Sequence, residues 1–165
     1  MVENKENLFM DNFEGVRSIL SRISIFSALS DKQLNTLFPY LKKKSYKKNE
    51  YIFRKGDDPS HIFIIQRGAV KLVLNAETNS PLELVEFDVG ACFGETSVLG
   101  IQSHSASAVA IEDTDLIVLQ RSVLLSLFEK DLELFGILIL NIAREACRRL
   151  HASDETLLHY VLKGK

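Results

Sequence analysis

The sequence predicts a mainly β domain with helices at both ends, its strands forming an antiparallel barrel or jelly roll. Three observations predict it. Between residue 40 and about 121, short alternating or β-branched apolar runs are separated by turn residues. Before them stands a capped helical segment that stops at Pro39, and after Ser122 the apolar spacing changes to steps of three and four. Strands at such close spacing favour a barrel or jelly roll over βαβ units. The expected division is 1–39 for N-terminal helices, 40–121 for the strands and 122–165 for the C-terminal helices, all in one domain. A chain of 165 residues suits that size.

In chain order, Leu20, Ile23, Ile25, Phe26 and Leu29 lead into Ser30-Asp31-Lys32-Gln33. Ser30 is placed to cap a helix and Gln33 to reach back from the third helical position, with Leu29 and Leu34 packing across the start. This predicts a helix over 31–38, ended by Pro39, which cannot donate into a continuing ladder. The apolar runs are Tyr51–Phe53, Ile62–Ile65, Val70–Leu74, Leu82–Phe87, Ala106–Ile111 and Leu116–Leu119. They are split by Gly56-Asp57-Asp58-Pro59, Arg67-Gly68, Asn75 to Pro81, Asp88-Val89-Gly90 and Glu112-Asp113, which supply turn chemistry. Val123, Leu124, Leu125, Leu127 and Phe128 then read as one helix, and a longer helix runs from Asp131. One stripe on it is Leu132, Phe135, Ile139, Ile142, Ala146, Leu150 and Leu157. A second is Leu134, Leu138, Ala143, Cys147, Leu158 and Val161. Two stripes exceed what one small roll covers, so a homodimer through residues 132–161 is expected, the alternative being a helix packed wholly on its own domain.

Composition excludes several classes. With 46% hydrophobic and 25% charged residues the chain should fold as a globular protein, and a net charge of -2 gives no reason to expect nucleic acid. Cys92 and Cys147 form no disulfide framework and no metal spacing, which fits a reducing compartment. The start, MVENKENLFMDNFEG, carries acids and amides where a secretory signal needs a basic start and an apolar run of about 7–15 residues. No run reaches the ~18 residues of a membrane span. A cytoplasmic protein is the expectation. His61, His104, His151 and His159 show no His-x-His pair and no near carboxylate at ligand spacing, so a cupin-like metalloenzyme is disfavoured, with no metal and no enzyme expected.

Several motifs in order resemble the cyclic-nucleotide-binding domain family: Ile25-Phe26-Ser27-Ala28-Leu29-Ser30, Gly56-Asp57, Ile64-Ile65-Gln66-Arg67-Gly68 and Gly90-Ala91-Cys92-Phe93-Gly94-Glu95. The resemblance spans about 20 to 155. It implies an antiparallel β-roll, a long C-terminal helix, a regulatory or sensor role rather than catalysis, and cyclic AMP or cyclic GMP as ligand. It also identifies Phe93 to Ser107 as the phosphate-binding cassette. A cyclic nucleotide offers one phosphate charge, a free 2′-hydroxyl and a flat base. By resemblance Gly94 lets the backbone approach the sugar phosphate, Glu95 takes the 2′-hydroxyl, the turn with Thr96 and Ser97 aims N–H groups at the anion, and Ser105 adds a neutral hydrogen bond. Ser153, in Arg148-Arg149-Leu150-His151-Ala152-Ser153-Asp154, sits where relatives reach the purine from the helix. The slot at 104 should be arginine, but the residue is His104, and Ser103 replaces a proline. A protonated His104 would partly substitute, from a reference pKa near 6.5. Loss of the arginine's charge-assisted bond, about 1.5–3 kcal/mol, weakens the site by roughly 10–150-fold or leaves a degenerate fold serving as a dimeric scaffold. By the same resemblance, ligand in the cassette draws the helices at 122–129 and 132–161 toward the roll.

Simpler readings stand beside these. Glu95 could serve only as a favourable charge at a helix start, His104 as a loop residue, and Cys92 as a buried spacer with no redox role. The run Lys42-Lys43-Lys44-Ser45-Tyr46-Lys47-Lys48 reads as a solvated edge strand guarding against sheet-to-sheet pairing. Catabolite-activator-type relatives continue into a helix-turn-helix domain after the long helix. This sequence stops at Lys165, so output through the dimer or an effector protein is expected instead of direct DNA readout.

Overall fold

The computed structural model describes residues 8–9, 23–78 and 80–163. The expected contributions of Leu20 and of the Val161 side chain lie outside the described residues. Eight strands run between Lys42 and Gln120: β2 (Lys42–Tyr46), β3 (Tyr51–Phe53), β4 (His61–Arg67), β5 (Val70–Leu74), β6 (Leu82–Phe87), β7 (Cys92–Phe93), β8 (Ser107–Ala110) and β9 (Thr114–Gln120). A two-residue β1, Leu8–Phe9, pairs with Lys42 and Lys43. All pairings are antiparallel, in two sheets ordered β1-β2-β9-β4-β7 and β3-β8-β5-β6. This is the β-roll expected, flanked by α1 (Asp31–Leu37), α2 (Glu95–Gly100), α3 (Arg121–Lys130) and α4 (Leu132–Lys163).

The helix start at Ser30 forms as its local chemistry dictates. Gln33 N–H donates to Ser30 Oγ at 3.3 Å, and Ser30 N–H donates to Gln33 Oε1 at 2.9 Å. Pro39 falls inside a 3₁₀ turn, Phe38–Tyr40, which directly continues α1. A proline in the first turn of a helix needs no N–H donor, so the chain tightens there instead of breaking off.

The apolar runs of β4 and β9 are continuous because both strands are buried on both faces. Ile62, Ile64, Ile117 and Leu119 face the helices, packing with Ile25, Phe26, Leu37, Val123, Leu127, Leu134, Leu138 and Ile142. Phe63, Ile65, Leu116 and Val118 alternate with them and point into the roll, against Phe53, Val70, Phe87 and Phe93. Two cores thus share one sheet, and the site lies where β7 leaves it. The lysine-rich β2 is flanked by β1 over Lys42 and Lys43, so it is not a bare edge along its whole length. Two of its charges are held by ion pairs, Lys43–Asp115 at 3.2 Å and, just beyond the strand, Lys47–Asp113 at 2.7 Å.

The two expected stripes of α4 are divided differently by the structure. Leu134, Leu138 and Ile142 are fully buried against the roll and the 3₁₀ turn Ser24–Phe26. Leu132, Leu140, Leu150, Leu157, Leu158 and Leu162 are exposed. The inward face therefore takes members from both stripes. After Ile142 the inward positions at the next helical steps are polar: Glu145 and Arg149.

Candidate functional site: the cassette cleft

β7 ends at Phe93, and Gly94 turns the chain with φ +82 into α2. A Cβ there would meet His61 O at 3.0 Å and Phe63 Cδ2 at 3.3 Å, so both the left-handed backbone and the close approach call for glycine. The sharp turn drops Glu95, the first residue of α2, beneath the surface: it is fully buried. The nearest compensating charge is Arg149, reaching down from α4, whose Nη1 stands 2.7 Å from Glu95 Oε1 as an ion pair. That same Nη1 also donates to Cys92 O at 3.1 Å, so one guanidinium nitrogen serves both the carboxylate and the carbonyl. Burial pushes the Glu95 carboxyl above its ordinary value, and Arg149 pulls it partly back.

Gly94, Thr96, Ser97, His104, Ser105 and Arg149 line one cleft, floored by Phe53 and Leu72. Room inside it is only about 30 Å³. One wall is His104, buried and stacked face to face on Phe53 with centroids 3.7 Å apart and planes 9° apart. Its backbone is fixed by hydrogen bonds from His104 N–H to Asp57 O at 3.0 Å and from Gly56 N–H to His104 O at 2.8 Å. His104 also lines a second polar cavity of about 250 Å³ shared with Lys44, Tyr46, Asp57, Asp58 and His61. The expectation that His104 titrates near its ordinary value needs correction. Desolvation in this aromatic setting lowers its pKa, with Asp57 opposing, so the neutral imidazole persists to lower pH. The other wall is Arg149, its guanidinium 5.0 Å over the Phe87 ring. Burial pushes the neighbouring Cys92 thiol up, consistent with an inert spacer.

Chemically, the arrangement sets a buried carboxylate behind a crowded glycine turn, with a single guanidinium beside it. Over residues 43–131 the sequence matches the family model of the cyclic nucleotide-binding domain. The chain belongs to the cyclic nucleotide-binding domain family. It is 29% identical over 130 residues to the cyclic AMP receptor protein of Thermus thermophilus, covering 79% of this chain and 58% of that protein. It is 29% identical over 110 residues to cGMP-dependent protein kinase 2 of Homo sapiens, covering 66% of this chain and 14% of the kinase. The chain thus spans less than two thirds of the length of either relative. A cyclic nucleotide-binding domain from Methylobacillus flagellatus superposes with a TM-score of 0.79 at 23% identity, over 90% of this chain and 83% of that one.

Within this family fold, the sequence-predicted cassette residues Gly94, Thr96, Ser97, His104 and Ser105 converge on the cleft, and Glu95 lies buried at its base. Ser153 stands apart. It is exposed on α4 one turn beyond Arg149, its hydroxyl donating to Arg149 O at 2.9 Å. Arg149 itself was not singled out by sequence reasoning. The signal was present: it lies seven residues after Ile142, on the helix face that meets the roll. Among the described residues no group of three or more His, Cys, Asp or Glu side chains could hold a metal ion, and no helix is long and apolar enough to cross a membrane.

Proposed function

We propose that the cassette cleft binds cyclic AMP or cyclic GMP and that the chain works as a regulatory module, a sensor rather than an enzyme, in the cytoplasm. The observation that carries this reading is the fully buried carboxylate of Glu95 behind Gly94, with the Arg149 guanidinium 2.7 Å from one of its oxygens. A carboxylate has lone pairs beyond those one guanidinium takes, and a ribose 2′-hydroxyl is a donor that fits such a buried acceptor. Family membership supports the ligand class. Relatives named for cyclic AMP and for cGMP leave both nucleotides as candidates. The phosphate meets the first turn of α2, Ser105 and the neutral ring of His104, so binding is weaker than with an arginine in that position. Calorimetry on the full chain tests this: cyclic AMP or cyclic GMP binds the wild type, and Glu95→Gln weakens that binding by about 10-fold as the charge-assisted bond is lost. No heat from either nucleotide up to millimolar concentration would leave the second reading, a scaffold on a degenerate cassette. That reading is favoured by the small free volume of about 30 Å³.

Dimerisation through α4 is part of the proposal. Leu150, Leu157, Leu158 and Leu162 are each more than half exposed on one helix, apolar surface of the kind that a symmetric partner helix covers. Light scattering at tens of micromolar protein, the range for a weak interface, is expected to give a dimer mass. A clean monomer there would sink the α4 interface.

A further inference from the structure

We infer that Asp154 is a charge gap in the seam by which α4 pairs with a second copy of the chain, making the homodimer parallel, weak and strengthened by salt. The inference rests on the α4 dimer proposed above and concerns how that interface is tuned. Leu134, Leu138, Asn141 and Ile142 are buried on the face of α4 seated against the roll and the 3₁₀ turn Ser24–Phe26. On the remaining surface Leu140, Ala143, Cys147, Leu150, Asp154 and Leu157 follow one another at alternating steps of three and four. At roughly 3.6 residues per turn this stripe lies about half a turn round the helix from the seated face. All six are exposed except Ala143, which is half-buried. A second copy thus approaches the stripe from the side away from the roll.

The alternation is that of a heptad, with Leu140, Cys147 and Asp154 at the a positions and Ala143, Leu150 and Leu157 at d. Leucine at d suits parallel two-stranded pairs, in which each layer meets its own copy. Asp154 then faces Asp154 of the second copy, between the Leu150 and Leu157 layers. Among the described residues Asp154 forms no ion pair. Within one turn on its own helix His151 is the one basic side chain, and Glu155 adds a further acid. The arginines above it are already engaged, Arg148 by Glu145 at 2.6 Å and Arg149 by Glu95 at 2.7 Å. Like charges set opposite one another weaken an interface and select its register, as a polar residue at a single a position does in coiled coils. In an antiparallel pairing of the same six residues, Asp154 meets Ala143 and the repulsion is absent.

Sedimentation equilibrium on the full chain decides the matter, with salt raised from about 0.05 to about 0.5 M so that the repulsion is screened. The wild-type dimer is expected to tighten as salt rises. Asp154→Asn keeps the shape and removes the charge, and it is expected to tighten the dimer by about 10-fold or more at low salt and to flatten the salt dependence. Asp154→Leu, which also restores an apolar layer, tightens it further. The position is exposed, so both variants keep the fold, and circular dichroism melts check this. A folded Asp154→Asn protein that dimerises no more tightly than the wild type overturns the charge gap while leaving the α4 dimer standing. Register is read with Asp154→Cys in a Cys147→Ser background, where the remaining Cys92 is buried. A short bismaleimide is expected to link the two copies, and a dimeric sample that does not link overturns the parallel arrangement. If wild type and variants alike are monomers at tens of micromolar, the α4 dimer reading fails and the charge gap falls with it.

Discussion

His104→Arg tightens cyclic nucleotide binding by about 10-fold or more over the wild type, read by calorimetry on the full chain. The physical basis is the exchange of a neutral imidazole for a fixed charge in the wall of the cleft. An arginine presents a planar fork of donors matched to phosphate oxygens, and each charge-assisted bond contributes roughly 1.5–3 kcal/mol against about 1 for a neutral one. The two proteins also differ with pH. Burial against Phe53 lowers the His104 pKa below its ordinary 6.5, with Asp57 pulling it partly back. The cyclic phosphate keeps its single charge throughout, so wild-type affinity rises only as pH falls through that lowered value, on the acid side of 6.5, while the arginine variant stays flat. The stability linkage has the opposite sign. The unfolded chain takes up the histidine proton first, so stability from His104 is complete above its unfolded pKa and declines as pH drops through it. Acidification thus charges the site and erodes the fold together, and melting curves at each pH separate the two. A folded arginine variant that binds no tighter than wild type at pH 8 would show that position 104 does not face the phosphate.

Which features were legible in the sequence follows from how local their causes are. The capping box at Ser30 and Gln33 needs only four consecutive residues, and it formed as read. The glycine turn was expected from the resemblance, and the structure gives Gly94 φ +82 with Glu95 carried inward behind it. Strand positions were legible from apolar runs, but those of β4 and β9 gave no alternation because helices cover one face and the roll encloses the other. The division of α4 was not legible. Both stripes have helical period, and only the roll's shape decides that Leu134, Leu138 and Ile142 turn inward while Leu150 and Leu157 do not. Arg149 and Glu95 are 54 positions apart, and their ion pair depends on a helix angle that no local pattern encodes. The stacking of His104 on Phe53 is of the same kind, since it joins the segment before β8 to β3, 51 positions away in the sequence.

Asn141→Leu lowers stability by about 2–4 kcal/mol and the melting temperature by roughly 5–15 °C. Asn141 is almost wholly buried on the inward face of α4, where apolar neighbours would lead one to expect leucine. Its Nδ2 donates to Ser27 O at 2.6 Å and Ile25 O at 3.2 Å, and its Oδ1 accepts from Arg144 Nη1 at 3.1 Å. One side chain thereby ties the 3₁₀ turn Ser24–Phe26 to the middle of α4. Leucine shares the Cγ branching and side-chain heavy-atom count of asparagine and has bulkier terminal groups, so the substitution removes donors without opening a cavity. What remains is two backbone carbonyls stripped of partners at a packed interface, each costing about 1–3 kcal/mol. Water reaches the Ser27 carbonyl more easily than that of Ile25, which keeps the total below the sum of two full penalties. Ser153→Ala is the control. Its hydroxyl is exposed and bonds only the preceding helical turn, so its loss changes stability by no more than about 0.5 kcal/mol. Loosening at Asn141 lies upstream of Arg149 on the same helix, so the leucine variant also exposes amides over 141–153 to faster exchange. Thermal melts of both variants with exchange over that segment test the clamp. An Asn141→Leu protein that melts with the wild type would mean that apolar packing by Leu134, Leu138 and Ile142 alone seats α4.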